Sequence, residues 1–390
     1  MSAAQWRKAM NSGAGRQAWR AAAAGSAGGN AVMRRAGGVS GVERAAGTSG
    51  RAGGAHHAST PGAGVLGAWR DAWARTGPRH WLVMLFVLLY PAVASPFFTF
   101  QIGAQALAIG TIALSLTLLG GSGGMVSLSQ ATVAGVAGYC VAIFGSSSVA
   151  SISLGWPWWV AVVAAIAIAT LFATFVGWLS VRTEGIYTIM ITLAIGVAFH
   201  YLAQQNYTVF NGFSGFSGIR TPTVFGIDLG KPTAFYYLTL ATALAAYGFV
   251  RYLLRAPFGV ALQGVRDNPR RMNALGFAVN AHRIAAHAVA GLIAATGGVL
   301  LVWYKGQISA GSLGANNLID ILIVAVLGGM RHPIGAFIGA IVFVLLQNFA
   351  VDLVDRERFN LLIGGVFLAI VLFSPDGLLG LWARLKARFA

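Results

Sequence analysis

Apolar residues fall into ten runs, at 81–98, 102–119, 128–146, 156–180, 186–204, 234–254, 283–304, 317–330, 334–351 and 360–374. Most approach or exceed the roughly 20 residues a helix needs to cross a hydrocarbon core of about 30 Å. The run at 317–330 has only 14 residues, which suits a partial or re-entrant helix. Between the second and third runs lies Gly120–Ser127, whose Gly/Ser content predicts a break in the helix. The pattern predicts an all-α integral membrane protein of about 10 (8–10) transmembrane helices.

One polar insert breaks this rhythm. Residues 255–283 separate two long apolar runs, and within them Val260, Leu262 and Val265 recur at near-helical spacing, as do Met272, Leu275 and Phe277. Arg266, Asp267, Arg270 and Arg271 gather around Asn268-Pro269, where proline interrupts the first helical pattern. A basic, amphipathic helix-turn element between spans fits a cytoplasmic coupling helix that takes force from a soluble partner. It also fits a basic loop that only sets topology, and the insert alone does not separate the two.

Composition supports the membrane assignment and narrows the chemistry. The 390 residues are 57% hydrophobic and 9% charged, against roughly 25% charged in soluble domains. The 52 glycines suit close helix packing in a bilayer. Cys140 is the single cysteine, so an internal disulfide or a cysteine-rich metal site is excluded. No GxxxxGK[ST], HExxH or GxSxG pattern occurs, and no catalytic role is expected of this chain.

The net charge is +17, and residues 1–80 carry eleven Arg and Lys against Glu43 and Asp71, or +9 of it. Residues 1–78 are rich in Ala, Gly, Ser and Arg without a long apolar run. They read as a disordered basic tail that lacks the apolar stretch of a secretory signal. Organelle targeting, nucleic-acid binding and anionic-lipid binding are the rival readings of that composition; a plain cytoplasmic tail is favoured, with no nucleic-acid partner. Placing the tail inside puts Arg182, the whole 255–283 insert, Arg331-His332 and the terminal Arg384, Lys386 and Arg388 inside as well. The opposite loops hold only Arg220, Lys231, Lys305, Arg356 and Arg358, with Asp352, Asp355 and Glu357 balancing the last pair. Both termini are then cytoplasmic.

Six segments, in order, resemble one family: LSLTLLGGSGGMVSLSQA at 114–131, EGIYTIMITLA at 184–194, FNGFSG at 210–215, APFGVALQGVRDNPRRMNALG at 256–276, IDILIVAVLGGMRHPIGA at 319–336 and LFSPDGLLG at 372–380. Together they are similar to the LivM-type permease subunits of ATP-driven importers for branched-chain amino acids, over roughly residues 80–381. The chain departs from that pattern at Ser129-Gln130, where Gly-His is usual, at Phe213 in an outer loop, and at Pro269, Arg270 and Arg271, where an acidic, alanine-rich stretch is usual.

The resemblance implies a permease domain at 79–381 containing the 255–283 coupling loop, followed by a short cytoplasmic tail at 382–390. It implies a bacterial inner-membrane location, a second, LivH-type permease, two cytoplasmic ATPase subunits and an extracytoplasmic solute-binding protein. ATP and magnesium would be held by the ATPases, and no cofactor or metal by this chain. Gly259, Arg266, Asp267, Asn268 and Gly276 match the coupling motif and are expected to position or contact the ATPase.

Pathway candidates come from the residues themselves. Asp320 is an ionisable group in an apolar run, with a solvated boundary position as the alternative. Ser129 and Gln130 begin the third run beside a Gly-rich break, where unwound backbone could offer donors to a carboxylate. His200 reads as a helix–helix hydrogen bond, Glu184 beside Arg182 as a boundary ion pair, and Trp156, Trp158 and Trp159 as an interfacial belt. Leu119-Gly120-Gly121 and Leu327-Gly328-Gly329 echo each other, with chance in a glycine-rich chain the favoured explanation. A stand-alone secondary transporter would need an intramembrane charge relay, for which Asp320 and His200 are meagre material. The resemblance implies a branched-chain amino acid or another small polar molecule as the expected solute, with urea, amides and other amino acids open.

Overall fold

Helix starts follow the prolines. In the computed structural model Pro96, Pro232, Pro257 and Pro269 each open a helix, where a fixed φ and a missing N–H suit the first turn. The described residues are 87–149, 151–183, 185–224 and 226–353, with positions 364, 365, 367, 368, 372, 374, 377–381 and 386. The basic tail, Glu184, residues 81–86 of the run at 81–98 and most of the run at 360–374 lie outside them.

After a helical piece at 87–93, α1 runs Pro96–Ser122, with π-helical turns at Thr99–Ala104 and Leu118–Ser122. Next come α2 (Ser129–Phe144), α3 (Trp158–Ser180) and α4 (Ile186–Gln205). A two-stranded antiparallel ribbon, β1 (Thr223–Val224) with β2 (Ile227–Asp228), pairs Thr223 with Asp228, a small departure from the expected all-α fold. Then follow α5 (Pro232–Arg255), α6 (Pro257–Asp267), α7 (Pro269–Ala274), α8 (Val279–Lys305), α9 (Ala315–Gly328) and α10 (Ile334–Leu353).

The protein is helical, and among the described residues five helices are long and apolar enough to cross a membrane: α1, α3, α4, α5 and α8. Three shorter apolar helices, at Ser129–Phe144, Ala315–Gly328 and Ile334–Phe349, fall on the third, eighth and ninth expected runs. At 1.5 Å per residue, the 16 residues of α2 cover about 24 Å, short of a full crossing. The expected break after the second run is present. The α1 helix widens into its π turn, Gly124 takes φ +66, and Met125 N–H returns to the Leu119 carbonyl at 3.0 Å.

The centre of the bundle is α8, which packs on α1, α2 and α3. Ala286, Ala290 and Ile293 on α8 join a core with Leu114 and Leu116 of α1, Leu262 of α6, Val324 of α9 and Phe343 of α10. Ala294, Ala295, Val299 and Val302 join a second core with Val133 and Tyr139 of α2, Ala169 of α3, and Phe216 and Leu313. Small residues on α8 let its neighbours approach it closely. Gly121, in the first of the echoed glycine segments, packs directly on the carbonyl of Met330, the residue after the second.

Candidate functional site

The insert at 255–283 folds as two short helices joined at Asn268. The α6 helix turns back on the end of α5, and Gly259 makes that approach possible, because a Cβ there would stand 2.6 Å from Leu254 Cα. Gly259, Ala261, Leu262 and Val265 are buried against the bundle. Val260 is 60% exposed, so it does not share the buried face expected from its spacing with Leu262 and Val265. Leu275 and Phe277 are also exposed, at 65% and 41%.

Asn268 and Gly276 shape the backbone. Asn268 Oδ1 accepts the Arg271 N–H at 2.9 Å, capping α7. Gly276 has φ +87, and a Cβ added there would meet nothing within 4 Å, so the turn into α8 needs glycine for conformation and not for space. His282 then stacks on Phe258 at 5.8 Å and meets Phe277 edge-on at 5.9 Å, tying the insert to the start of α8.

Arg266 reaches across the molecule. Its Nη1 donates to the Gly121 carbonyl at 2.6 Å, in the π turn that ends α1. Its Nε and Nη2 both meet Asp267 Oδ1 at 2.9 Å. Its stem lies against Gly124, where a Cβ would come within 2.5 Å of Arg266 Cγ. An exposed ion pair of this kind is worth about 0–1 kcal/mol. Its structural consequence is larger, because Asp267 orients the guanidinium that links the insert to α1.

A second polar cluster lies where α2 meets α4. Ser127, Ser129, Gln130, Thr132 and Thr192 are all buried. Ser127 Oγ and Ser129 Oγ are 2.9 Å apart, the Leu128 N–H donates to Thr192 Oγ1 at 3.1 Å, and Thr192 Oγ1 donates to the Thr188 carbonyl at 3.0 Å. Two amides of the break, at Met125 and Leu128, are therefore already used and are not the open donors expected of a broken helix. Among the described residues, both polar atoms of the Gln130 amide and the Thr132 hydroxyl have no hydrogen-bond partner. Near them Gly196 of α4 lets Thr132 and Leu318 of α9 close in, at 2.8 and 2.7 Å from where a Cβ would stand.

The other candidates hold separate partners. His200 Nδ1 is 2.8 Å from the Ala310 carbonyl, in the 3-10 turn Ala310–Leu313. Asp320, half-buried on α9, has Lys305 as its electrostatic neighbour. Arg182 lies over the Trp178 ring at 5.0 Å. Trp156, Trp158 and Trp159 are exposed at the start of α3, with Trp156 stacked on Phe144 at 5.1 Å. Sequence reasoning does not single out Gly124, Thr192 or His282, and it marks Gly121 only as half of a glycine doublet.

Residues 98–371 match the family described as branched-chain amino acid transport system / permease component. The chain belongs to this family. It is a multi-pass membrane permease of the ATP-binding-cassette importer class. It is 23% identical over 321 residues to the high-affinity branched-chain amino acid transport system permease protein LivM of Salmonella typhimurium, covering 76% of this chain and 74% of that one. It is 27% identical over 158 residues to the probable branched-chain amino acid transport permease protein LivH of Methanocaldococcus jannaschii, covering 38% of this chain and 49% of that one. It is 28% identical over 116 residues to the nucleoside ABC transporter permease protein NupC of Lactococcus lactis, covering 30% of this chain and 35% of that one. No solved structure matches. This permease thus resembles both permease types, LivM over most of its length and LivH over a shorter stretch.

Proposed function

We propose that this permease is the LivM-type half of a bacterial inner-membrane importer, paired with a LivH-type subunit and driven by two cytoplasmic ATPases. A binding protein outside delivers a branched-chain amino acid, or a small polar solute of similar size. The insert at 255–283 is the cytoplasmic coupling element, and both termini share its side of the membrane. ATP binding and hydrolysis bias an inward/outward equilibrium of the two permeases.

The observation that carries the coupling reading is the Arg266–Gly121 hydrogen bond. A force on α6 acts through it on the π turn that ends α1, the most buried span. Val260, Leu275 and Phe277 supply the exposed apolar patch on which the ATPase docks. Docking and transmission thus fall to different residues. Gln130 and Thr132 are the pathway groups, since their unpartnered buried polar atoms gain partners when α2 and α4 separate around a solute.

Two variants of the assembled importer test this. In Val260→Asp/Leu275→Asp the ATPases no longer co-purify. In Arg266→Gln they still co-purify, but leucine uptake into proteoliposomes falls about tenfold, as expected for loss of a charge-assisted bond worth roughly 1.5 kcal/mol. Retention of the ATPases by the first variant refutes the docking surface, and unchanged uptake by the second refutes the link to α1. Competition by isoleucine, urea and a nucleoside against labelled leucine reports the solute.

A further inference from the structure

Tyr139 of α2 is 1% exposed, and among the described residues its hydroxyl has no hydrogen-bond partner. A buried hydroxyl left unpaired costs stability unless another group comes to meet it. Tyr139 shares a face of α2 with Gly135 and Thr132, four and seven residues earlier. Thr132 is the second unpartnered buried hydroxyl on that face, about 10 Å away along the helix axis at 1.5 Å per residue. Between them Gly135 receives the Leu313 side chain, and the 3-10 turn that carries Leu313 packs on both α2 and α4. The facing edge of α4 holds Thr192, Gly196 and Ala203, all buried, with Gly196 against Thr132 and Leu318. One seam between α2 and α4 thus carries small and hydroxyl-bearing residues, filled part-way along by two leucines.

A loop covers the Tyr139 end of this seam. Residues 206–231 join α4 to α5, so one crossing of α5 sets them on the opposite side of the membrane from the insert. The Phe210 ring meets Tyr139 edge-on at 5.2 Å and Phe199 of α4 at 5.6 Å, while Phe216 meets Tyr139 at 6.2 Å. The two loop rings are held differently. Phe216 exchanges backbone hydrogen bonds with Ile308 at 2.7 and 2.8 Å. Phe210 ends a single helical turn, Tyr207–Phe210, and its N–H returns to the Asn206 carbonyl at 3.2 Å, at the end of α4. Gly212 and Gly215, at φ +58 and +64, separate that turn from the pinned Phe216 and can absorb a change of backbone angle.

From this geometry we infer that the α2–α4 seam is the solute's passage through this subunit, with Phe210 as its outer cap and the Tyr139 hydroxyl as the first hydrogen-bonding group beneath it. The inference rests on the importer reading above and extends its pathway. Lifting Phe210 uncovers a phenol O–H that can donate to a carboxylate or amide oxygen, beside apolar walls from Phe199 and Phe216. The site therefore takes a solute with an apolar body and a hydrogen-bond acceptor. Thr132 is the next such group along the seam, reached when Leu313 withdraws from Gly135.

The test uses the assembled importer in proteoliposomes with labelled leucine. Tyr139→Phe lowers uptake about fivefold, as for one lost neutral hydrogen bond, and leaves the melting temperature unchanged or raised. Wild-type uptake by this variant overturns the role of the hydroxyl. Access is read in Tyr139→Cys on a Cys140→Ser chain, with a charged methanethiosulfonate added on the side opposite the insert and the mass of this chain measured. Labelling is slow at rest and rises about tenfold with ATP and leucine-loaded binding protein, as the open state passes from a minor to a main population. It rises as much without ATP in Phe210→Ala, and stays slow in Phe210→Leu, which still fills the space. Ala137→Cys, buried on the far side of α2, stays unlabelled throughout. Equal labelling of positions 137 and 139 means a loosened helix and overturns the passage, as does a Tyr139→Cys that neither ATP nor Phe210→Ala makes reactive. ATP-independent uptake with a reactive Tyr139→Cys refutes the importer reading and keeps the passage, whereas ATP-driven uptake with an unreactive one does the reverse.

Discussion

The helices α1 and α4 have the same mean hydropathy over their best 18 residues, yet 83% of that stretch is buried in α1 and 22% in α4. The difference lies in side-chain size. The α1 helix is built from Gly103, Ala104, Ala106, Ala108, Gly110 and Ala113, and α8 and α10 close directly on it. The α4 helix carries Tyr187, Met190, Tyr201 and Leu202, all exposed. Between lipid and protein no transfer term pulls a helix inward, so packing decides, and small residues pack closest. Only the inner edge of α4, with Thr188, Thr192 and Gly196, is drawn in.

The largest effect comes from breaking the contact that gives α1 its depth. Where α8 crosses α1, a Cβ on Gly297 would stand 2.6 Å from Ile112 Cγ1 and 3.0 Å from Ile112 N. Gly297→Leu therefore destabilises the protein by about 3 kcal/mol or abolishes its folding, read as the melting temperature of the detergent-purified chain. The buried start of α2, in the polar cluster where α2 meets α4, gives a smaller effect of opposite sign. Gln130→Met removes an amide with no partner and stabilises by about 1 kcal/mol, while solute uptake falls if Gln130 serves the pathway. A melting temperature lowered by Gln130→Met shows that the amide is satisfied, and the pathway reading goes with it. The outer face of α4 is expected to be nearly silent: Met190→Ala changes stability by less than about 0.5 kcal/mol, and a larger loss means that a partner and not lipid covers that face. At the far end of α1, Arg251→Gln moves the His332 pKa upward toward the ordinary histidine value, because it removes the adjacent charge but leaves the burial. A histidine-resolved NMR titration shows the direction.

Local features are the legible ones. The second to the ninth of the expected runs each fall on a helix, and the described part of the first is helical at 87–93 and 96–98. Asn268-Pro269 marks the cap and first turn of α7, since both act within four residues. Val260 is misplaced by its spacing because helical periodicity groups residues by angle, whereas its 60% exposure depends on where the bundle stands. Gln130 reads as the start of a helix, but its burial without a partner depends on α2 meeting a neighbour. Arg266 is singled out by motif, while its bond to Gly121 lies 145 residues away in sequence.

Apolar run length, proline and glycine placement and the order of six motifs by themselves determined a helical membrane permease and its family, because each acts through the chain's own backbone or its solvent. Tertiary structure alone decided which equally apolar helix lies inside, that an arginine of the insert grips the end of α1, and that a loop phenylalanine covers the ring of Tyr139. Those outcomes depend on steric fit and on groups brought together from distant segments, and neither is a property of any local stretch of chain.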